Sequence, residues 1–381
     1  MTQPLDPQDI RYMERALALA RQGVGLASPN PTVGAVVVKD GRIVSEGFHG
    51  YDERDHAEIV ALNIAGRDAA GATLYVTLEP CCHTGRTGPC TEAIIRAGIR
   101  RVVAAMHDPN PAVGGKGLEL LRRSGIDVTI GFSEAEAKKR NEAFACWIRT
   151  GKPFVILKSA LTLDGQLALP QSGKPRSDRG KRKSSTWVTS EESRAEVHRM
   201  RHASDALLTG IGTVLADDPL LTDRSGLPRR RKLLRVILDS RLRLPLRSKI
   251  ARTAENDVLV LTTLSANHPR AKRLRKFGIE VVRIPSRSGR PDLRAALKIL
   301  AKREILSVIL EAGSELNGAA LAAGIVDKLF LFYAPKIAGR DDIPFAHAKK
   351  LTLPPLSNVS FHRFGPDFAV EGYLRDVYRN H

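Results

Sequence analysis

Aromatic residues make up only 5% of this 381-residue chain, and it has four cysteines. Bases of single-stranded nucleic acid stack on aromatic faces, so a sequence this poor in them offers few such platforms. Four cysteines suit a reducing compartment better than a secreted disulfide scaffold. No apolar run reaches the roughly 20 residues of a membrane-spanning helix. The opening M-T-Q-P-L-D lacks a charged segment followed by an apolar core. No signal peptide is therefore expected, and the compartment read here is the cytoplasm. Acidic residues are also short, 41 against 60 basic ones, leaving a formal charge of +19. Such an excess suits nucleic acid, an anionic membrane surface or phosphorylated small substrates. Much of it lies in two runs, 174–183 and Arg229 to Lys232, without interleaved aromatics, and these read as solvated loops. Neither nucleic acid nor a membrane is expected as a partner.

What is present is concentrated between His56 and Cys90, where D-H-A-E is followed by L-E-P-C-C-H-T-G-R-T-G-P-C. His56 can supply a nitrogen ligand, and Cys81 and Cys90 thiolates. Three protein ligands leave the fourth tetrahedral position of a zinc ion open, as catalysis requires. Such an ion lowers the pKa of its water to about 7. Glu58, two residues past His56, is placed to carry a proton from that water to a leaving nitrogen. H-x-E followed by P-C is the pattern of zinc-dependent base deaminases. Cys82 reads as a small buried residue, because neighbouring side chains diverge, and Cys146 as a buried helical one. Two weaker readings stand beside this one. A nucleic-acid or nucleoside deaminase with a basic accessory domain would use the same H-A-E. A zinc-binding regulatory protein would use the ligands without catalysis.

Length favours two or three domains. Pro7 to Gly23 has helical spacing, Val33 to Lys39 and Arg42 to Phe48 form a hairpin across Asp40–Gly41, and His56 opens a helix to about Ala65. Strands are expected at Ala72–Thr77, Arg101–Met106 and Asp127–Ile130. Helices are expected at Glu92–Ala97, Gly117–Ser124 and, from a capping box of Ser133 and Glu136, through to Trp147. This alternation predicts a mostly parallel sheet. T-G-K-P at Thr150 to Pro153 breaks the pattern and separates domains 1–150 and 151–381. Beyond it come a strand from Phe154 to Ala160, a mobile basic segment at 170–183, order again from Ser184, and a helix from Glu191 to His202. A further strand, Ala206 to Thr209, ends in G-I-G-T, which lacks the third glycine of a dinucleotide fingerprint. Strand Ile305–Leu310 feeds E-A-G-S-E-L-N-G and then a helix to Ala323, whose free N–H groups could hold a pyrophosphate. Strands near Lys328–Pro335, Ser357–Arg363 and Phe368–Leu374 close the chain.

Eight residues separate Cys81 from Cys90, where ordinary deaminases have C-x-x-C. With N-P-T-V-G at Asn30 to Gly34 and G-F-H at Gly47 to His49, this expanded loop resembles the bifunctional riboflavin-biosynthesis deaminase–reductases. In the second half, L-T-L-D-G, T-W-V-T, T-V-L-A-D-D-P-x-L-T-x-R and E-A-G resemble the same family. The resemblance implies an α/β protein: a cytidine-deaminase-like α/β/α sandwich, then a dihydrofolate-reductase-like domain. It implies Zn2+ and NADPH as cofactors and a phosphorylated pyrimidine as substrate. The pyrimidine is first deaminated by zinc hydroxide, and its ribose is then reduced to ribityl. The assembly implied is a homo-oligomer, dimer or tetramer. By the same carry-over, Asn30, His49, His83 and Arg86 meet the deaminase substrate. Lys158, Ser185, Arg201, Leu221, Arg224 and Glu311 meet the reductase substrate, Arg201 and Arg224 as a clamp on its phosphate. Ala160, Trp187, Thr213, Asp217, Ser240 and the run Gly313, Ser314, Glu315, Leu316, Asn317, Gly318 and Ala319 meet NADPH. Two departures stand out. Arginine occupies position 86, where the family often has lysine, and T-G-P-C replaces the commoner T-P-P-C.

Overall fold

The computed structural model describes residues 7–85, 87–167, 188–287, 289–339, 343–348 and 352–379. Arg86, Ser185, Trp187 and the basic segment 170–183 lie outside the described residues. The chain forms two compact units. One runs to Lys152 and takes in Pro228–Arg231; the other comprises Pro153–Leu227 and Lys232–Arg379.

In the first unit, α1 (Pro7–Gln22) precedes the hairpin β1 (Gly34–Lys39) and β2 (Arg42–Phe48). Then come α2 (Ala57–Ala65), β3 (Thr73–Val76), α3 (Cys90–Arg96), β4 (Arg101–Ala104), α4 (Lys116–Arg123), β5 (Asp127–Ile130), α5 (Glu134–Arg140) and α6 (Glu142–Thr150). The sheet order is β2-β1-β3-β4-β5. β3, β4 and β5 are parallel, but β1 runs antiparallel to both neighbours, so the mostly parallel expectation holds only at one end. The hairpin turn is too short to allow a parallel return. Two glycines admit the flanking helices. A Cβ on Gly34 would lie 2.1 Å from the Ala16 carbonyl of α1, and one on Gly47 2.5 Å from the Ala57 carbonyl of α2. Gly34 pairs with Phe48, and Gly47 with Ala35. Because side chains alternate along a strand, the two glycines face opposite ways, which puts α1 and α2 on opposite sides of the sheet.

The single helix expected from Ser133 to Trp147 is two helices. Ser133 is left-handed (φ 55°) and makes no cap hydrogen bond. Asn141 breaks the run, because its amide serves Thr32 instead: Oδ1 accepts from the Thr32 N–H and Nδ2 donates to the Thr32 carbonyl. A side chain that bonds backbone elsewhere competes with the helix ladder. Arg230 corrects the solvated reading of its charge run. Its guanidinium carbon lies 3.8 Å from the Tyr51 ring centroid.

The second unit contains β6 (Phe154–Thr162), α7 (Glu191–His202), β7 (Ala206–Gly210), α8 (Ile211–Asp217), β8 (Leu234–Leu238), α9 (Lys249–Arg252), β9 (Val258–Thr262), α10 (Pro269–Arg275) and β10 (Ile279–Arg283). A two-strand ribbon follows, β11 (Ser286–Arg287) and β12 (Arg290–Pro291). The chain continues through α11 (Leu293–Ala301), β13 (Ser307–Leu310), α12 (Ser314–Ala322), β14 (Lys328–Ala334), β15 (Ser357–Phe364) and β16 (Asp367–Tyr373). The main sheet order is β10-β9-β8-β7-β13-β6-β14-β16-β15. It is parallel from β10 to β14 and antiparallel beyond. Its central strands are buried on both faces. Val155, Leu157, Val236, Leu259 and Val308 pack on one side, and Leu207, Ile237, Val260 and Ile309 on the other. The chain passes from β6 to β7 in one direction and from β13 to β14 in the other. In open α/β sheets such a reversal opens a crevice at the carboxyl ends of the strands, and this is where ligands bind.

Candidate active sites

In the first unit, three carboxyl-side loops and helix starts converge. His56 caps α2, Cys90 is the first residue of α3, and Cys81 follows the turn after β3. Their ligand atoms lie within 4.8 Å of one another. His56 Nδ1 is 3.2 Å from Cys90 Sγ and 3.6 Å from Cys81 Sγ. Zinc bonds of about 2.0 Å to nitrogen and 2.3 Å to sulfur set tetrahedral neighbours about 3.5 Å apart, so the cluster fits the ion. Among the described residues no fourth ligand joins it, and Cys82 does not. Cys82 is half-buried rather than buried, whereas Cys146 is buried as expected. The two thiols share a proton unequally. The hydrogen bond from Cys90 holds the Cys81 thiol well below the usual range, and that same bond, together with burial, pushes Cys90 up. Binding a cation would release the remaining proton.

Glu58 sits in the first turn of α2 and is buried. Burial raises its pKa, against the pull of His56. A buried carboxyl beside the ligand atoms is placed to pass a proton. Asn30 and His49 flank the cluster. His49 Nδ1 lies 2.8 Å from the Asp55 carbonyl, which can only accept, so Nδ1 carries the proton. Nε2 is then the acceptor for Asn30 Nδ2 at 2.9 Å. The imidazole is thereby engaged at both nitrogens, and the groups of Asn30 it leaves over are Oδ1 and one N–H. His83 is exposed.

Sequence reading passed over Glu79 and the loop it governs. The buried Glu79 carboxylate accepts from the N–H groups of Asp108, Gly115, Gly117 and Leu118, and lies 3.2 Å from His107 Nδ1. It thus joins the Cys81 turn to the start of α4. Asp108 is raised by burial and feels both His83 and Cys81. The signal available in the sequence was Glu79 itself, an acidic residue just past the apolar strand β3.

In the second unit the crevice holds an ionic cluster. Arg201 of α7 grips Glu311 with both edges, Nε to Oε1 at 2.6 Å and Nη2 to Oε2 at 2.9 Å. Lys158 Nζ of β6 approaches Glu311 Oε2 at 3.6 Å. Burial pushes Glu311 up, but Arg201 and Lys158 outweigh it and bring the carboxyl down to about 2. Burial lowers Lys158 despite Glu311, and the neighbouring Arg201 adds to the effect. The third edge of Arg201 donates to the Thr222 carbonyl. Arg201 thus spends three of its five N–H donors on Glu311 and the Thr222 carbonyl. Arg224 is exposed two residues further on, and Leu221 is buried at φ 54°. This strap is also held by His202 Nδ1, 3.1 Å from Asp223, and by Arg235 donating to the Leu220 carbonyl.

The residues assigned to the dinucleotide stand at the carboxyl ends of neighbouring strands. Ala160 shares a face of β6 with Lys158, Thr213 and Asp217 lie on α8, Ser240 follows β8, and Gly313 caps α12. Seven buried side-chain atoms among the described residues have no hydrogen-bond partner, and three of them belong to this end of the sheet: Thr209 Oγ1, Ser314 Oγ and Asn317 Oδ1. Buried polar atoms are normally satisfied, so these three mark where a polar ligand would complete the structure, and NADPH fits the site. Thr209 was missed by sequence reading. Two residues of the run face elsewhere. Glu315 pairs with Arg290 at the surface, and Gly318 is required because a Cβ there would lie 2.0 Å from the His347 carbonyl.

Known proteins resemble both units. A family model described as the RibD C-terminal domain matches residues 153–370, and one described as the cytidine and deoxycytidylate deaminase zinc-binding region matches residues 6–106. The riboflavin biosynthesis protein RibD of Aquifex aeolicus is 44% identical over 331 residues, 87% of this chain and 88% of its own length. A solved Acinetobacter baumannii RibD superposes with a TM-score of 0.79 at 37% identity, covering 96% of this chain and 98% of its own. The Thermotoga maritima diaminohydroxyphosphoribosylaminopyrimidine deaminase/5-amino-6-(5-phosphoribosylamino)uracil reductase does so at 0.79 and 38%, with the same coverage. Fold and site together define a two-part enzyme, a zinc-dependent deaminase of the cytidine-deaminase type followed by a dihydrofolate-reductase-like, NADPH-dependent reductase. The chain belongs to the RibD family, the bifunctional deaminase–reductases of riboflavin biosynthesis. A nucleic-acid deaminase with an accessory domain is not favoured, because the second unit matches a reductase throughout. Among the described residues no helix is long and apolar enough to cross a membrane.

Proposed function

We propose that the two reactions are divided between domains 1–150 and 151–381 as follows. In the first domain His56, Cys81 and Cys90 hold zinc, which when bound supplies Lewis acidity and an acidified water. Glu58 takes a proton from the attacking water and delivers it to the exocyclic amine, so a C–O bond forms, a C–N bond breaks and ammonia leaves. Asn30, fixed by His49, holds the pyrimidine with its remaining donor and acceptor. Arg86 and His83 serve the phosphate side. The observation that carries this reading is the buried Glu58 carboxyl, two residues from the ligand cluster and shifted upward by burial.

In the second domain NADPH, when bound, would supply the hydride that reduces the opened ribose. Ala160, Thr209, Thr213, Asp217, Ser240 and the Gly313–Ala319 run at the start of α12, Glu315 and Gly318 apart, hold the dinucleotide, with Trp187. Glu311 and Lys158 face the sugar, Arg201 sets Glu311, and Arg224 takes the phosphate with Ser185 and Leu221. Lys158, buried beside Glu311, is placed to pass a proton there, and burial lowers its pKa. We place the enzyme in the cytoplasm as a homodimer or tetramer. The exposed edge strand β15, carrying Val359 and Phe361 outward, supports association. Sedimentation of the pure protein tests this, and a monomer at micromolar concentration contradicts it. The functional test is to supply the diaminopyrimidine phosphate and follow ammonia. Release that requires zinc and Glu58 supports the assignment; zinc-independent release contradicts it.

A further inference from the structure

Arg230 stands 178 residues beyond Asp52, yet it belongs to the first unit's compact body. Its guanidinium lies over the Tyr51 ring at 3.8 Å. From that position Nε donates to Asp52 Oδ1 at 2.8 Å, and Nη1 donates to the Ser28 carbonyl at 3.1 Å. The backbone N–H of Arg230 donates to the Gly25 carbonyl at 2.9 Å. The two loops it touches are tied to each other by Tyr51 N–H to the Leu26 carbonyl, 3.1 Å. One loop leads directly into Asn30, and the other leads out of His49. Those two side chains bond each other beside the ligand cluster.

We infer that Arg230 is a positioning residue of the deaminase pocket, fixing the loops that present Asn30 and His49 to the pyrimidine. The inference rests on the proposed role of Asn30. Only a planar guanidinium can stack on a ring while its edges donate in two directions, so lysine does not replace it. Small displacements of groups that orient a substrate carry large kinetic costs, which makes a contact one shell away from the base visible in turnover.

The test uses the full-length, zinc-loaded protein with the diaminopyrimidine phosphate, reading ammonia release for KM and kcat. Arg230→Ala is expected to raise the deaminase KM about tenfold, and Arg230→Lys to recover little of it. Tyr51→Ala should reproduce the loss, and the double variant should be no worse than the worse single one, because one clamp is removed either way. Zinc content and the reductase rate on the aminouracil should not change. Normal deaminase constants in Arg230→Ala, with Asn30→Ala impaired, overturn the inference and leave the pocket assignment standing. Normal constants in Asn30→Ala overturn the pocket assignment and the inference with it. Loss of zinc or of reductase turnover in both Arg230→Ala and Tyr51→Ala also overturns it, since the clamp would then serve the fold at large.

Discussion

Glu58 lies where a proton carrier must be, buried and beside the ligand atoms, and no other acidic residue shares the first turn of its helix. Glu58→Gln keeps shape and volume but cannot shuttle a proton. Ammonia release should fall by about 10²- to 10⁴-fold, with zinc content and NADPH-linked reduction of the aminouracil unchanged. Metal analysis and the two separate assays check this. Glu311 gives a pH prediction. Its folded pKa, about 2, lies below the ordinary 4.5, because Arg201 and Lys158 outweigh burial. Its contribution to stability is therefore complete above about 4.5 and is lost as pH falls towards about 2. Melting temperature should drop across that window, and Glu311→Gln should flatten the dependence while lowering stability at neutral pH. An unchanged slope in the variant contradicts the assignment. At this scale the ligands were readable because they fall within one short stretch. Arg201 and Glu311 are 110 residues apart, and nothing local announces that their charges meet. Nor could sequence reveal that Asn30 and Asp55 engage both nitrogens of His49.

Among elements, Glu79 does the joining. One carboxylate collects four backbone N–H groups from the loop and helix that follow β4. Truncating it leaves buried donors without an acceptor, at about 1–3 kcal/mol each where water cannot replace it. Glu79→Ala should lower the denaturant midpoint of the first unit and weaken zinc binding, since the turn it anchors carries Cys81. Equal midpoints and equal zinc affinity would contradict that role. Elements with strong local signals were readable: the β1–β2 hairpin from its Asp40–Gly41 turn, and α7 from its polar spacing. Others were not. β8, L-R-V-I-L, carries a fully buried arginine whose charge is met by Asp257, so its apolar pattern looks broken until that partner is seen. The break at Asn141 is set by Thr32, 109 residues away. In both cases a tertiary partner overrode the local preference.

For the molecule as a whole, the metal belongs to one reaction only. Stripping zinc with a chelator should abolish ammonia release yet leave NADPH oxidation intact when the aminouracil is supplied directly, because the described residues around Lys158 and Glu311 include no clustered metal ligands. The sequence divides the chain at T-G-K-P, whereas nothing local marks Pro228–Arg231 as part of the first compact unit. The most direct measurement gives the zinc-loaded protein the diaminopyrimidine phosphate and NADPH together and follows ammonia and NADPH in one reaction. We predict one ammonia released for each NADPH oxidised, with ammonia appearing first and both signals lost in Glu58→Gln until aminouracil is added. NADPH oxidation that precedes or proceeds without ammonia release would contradict the account.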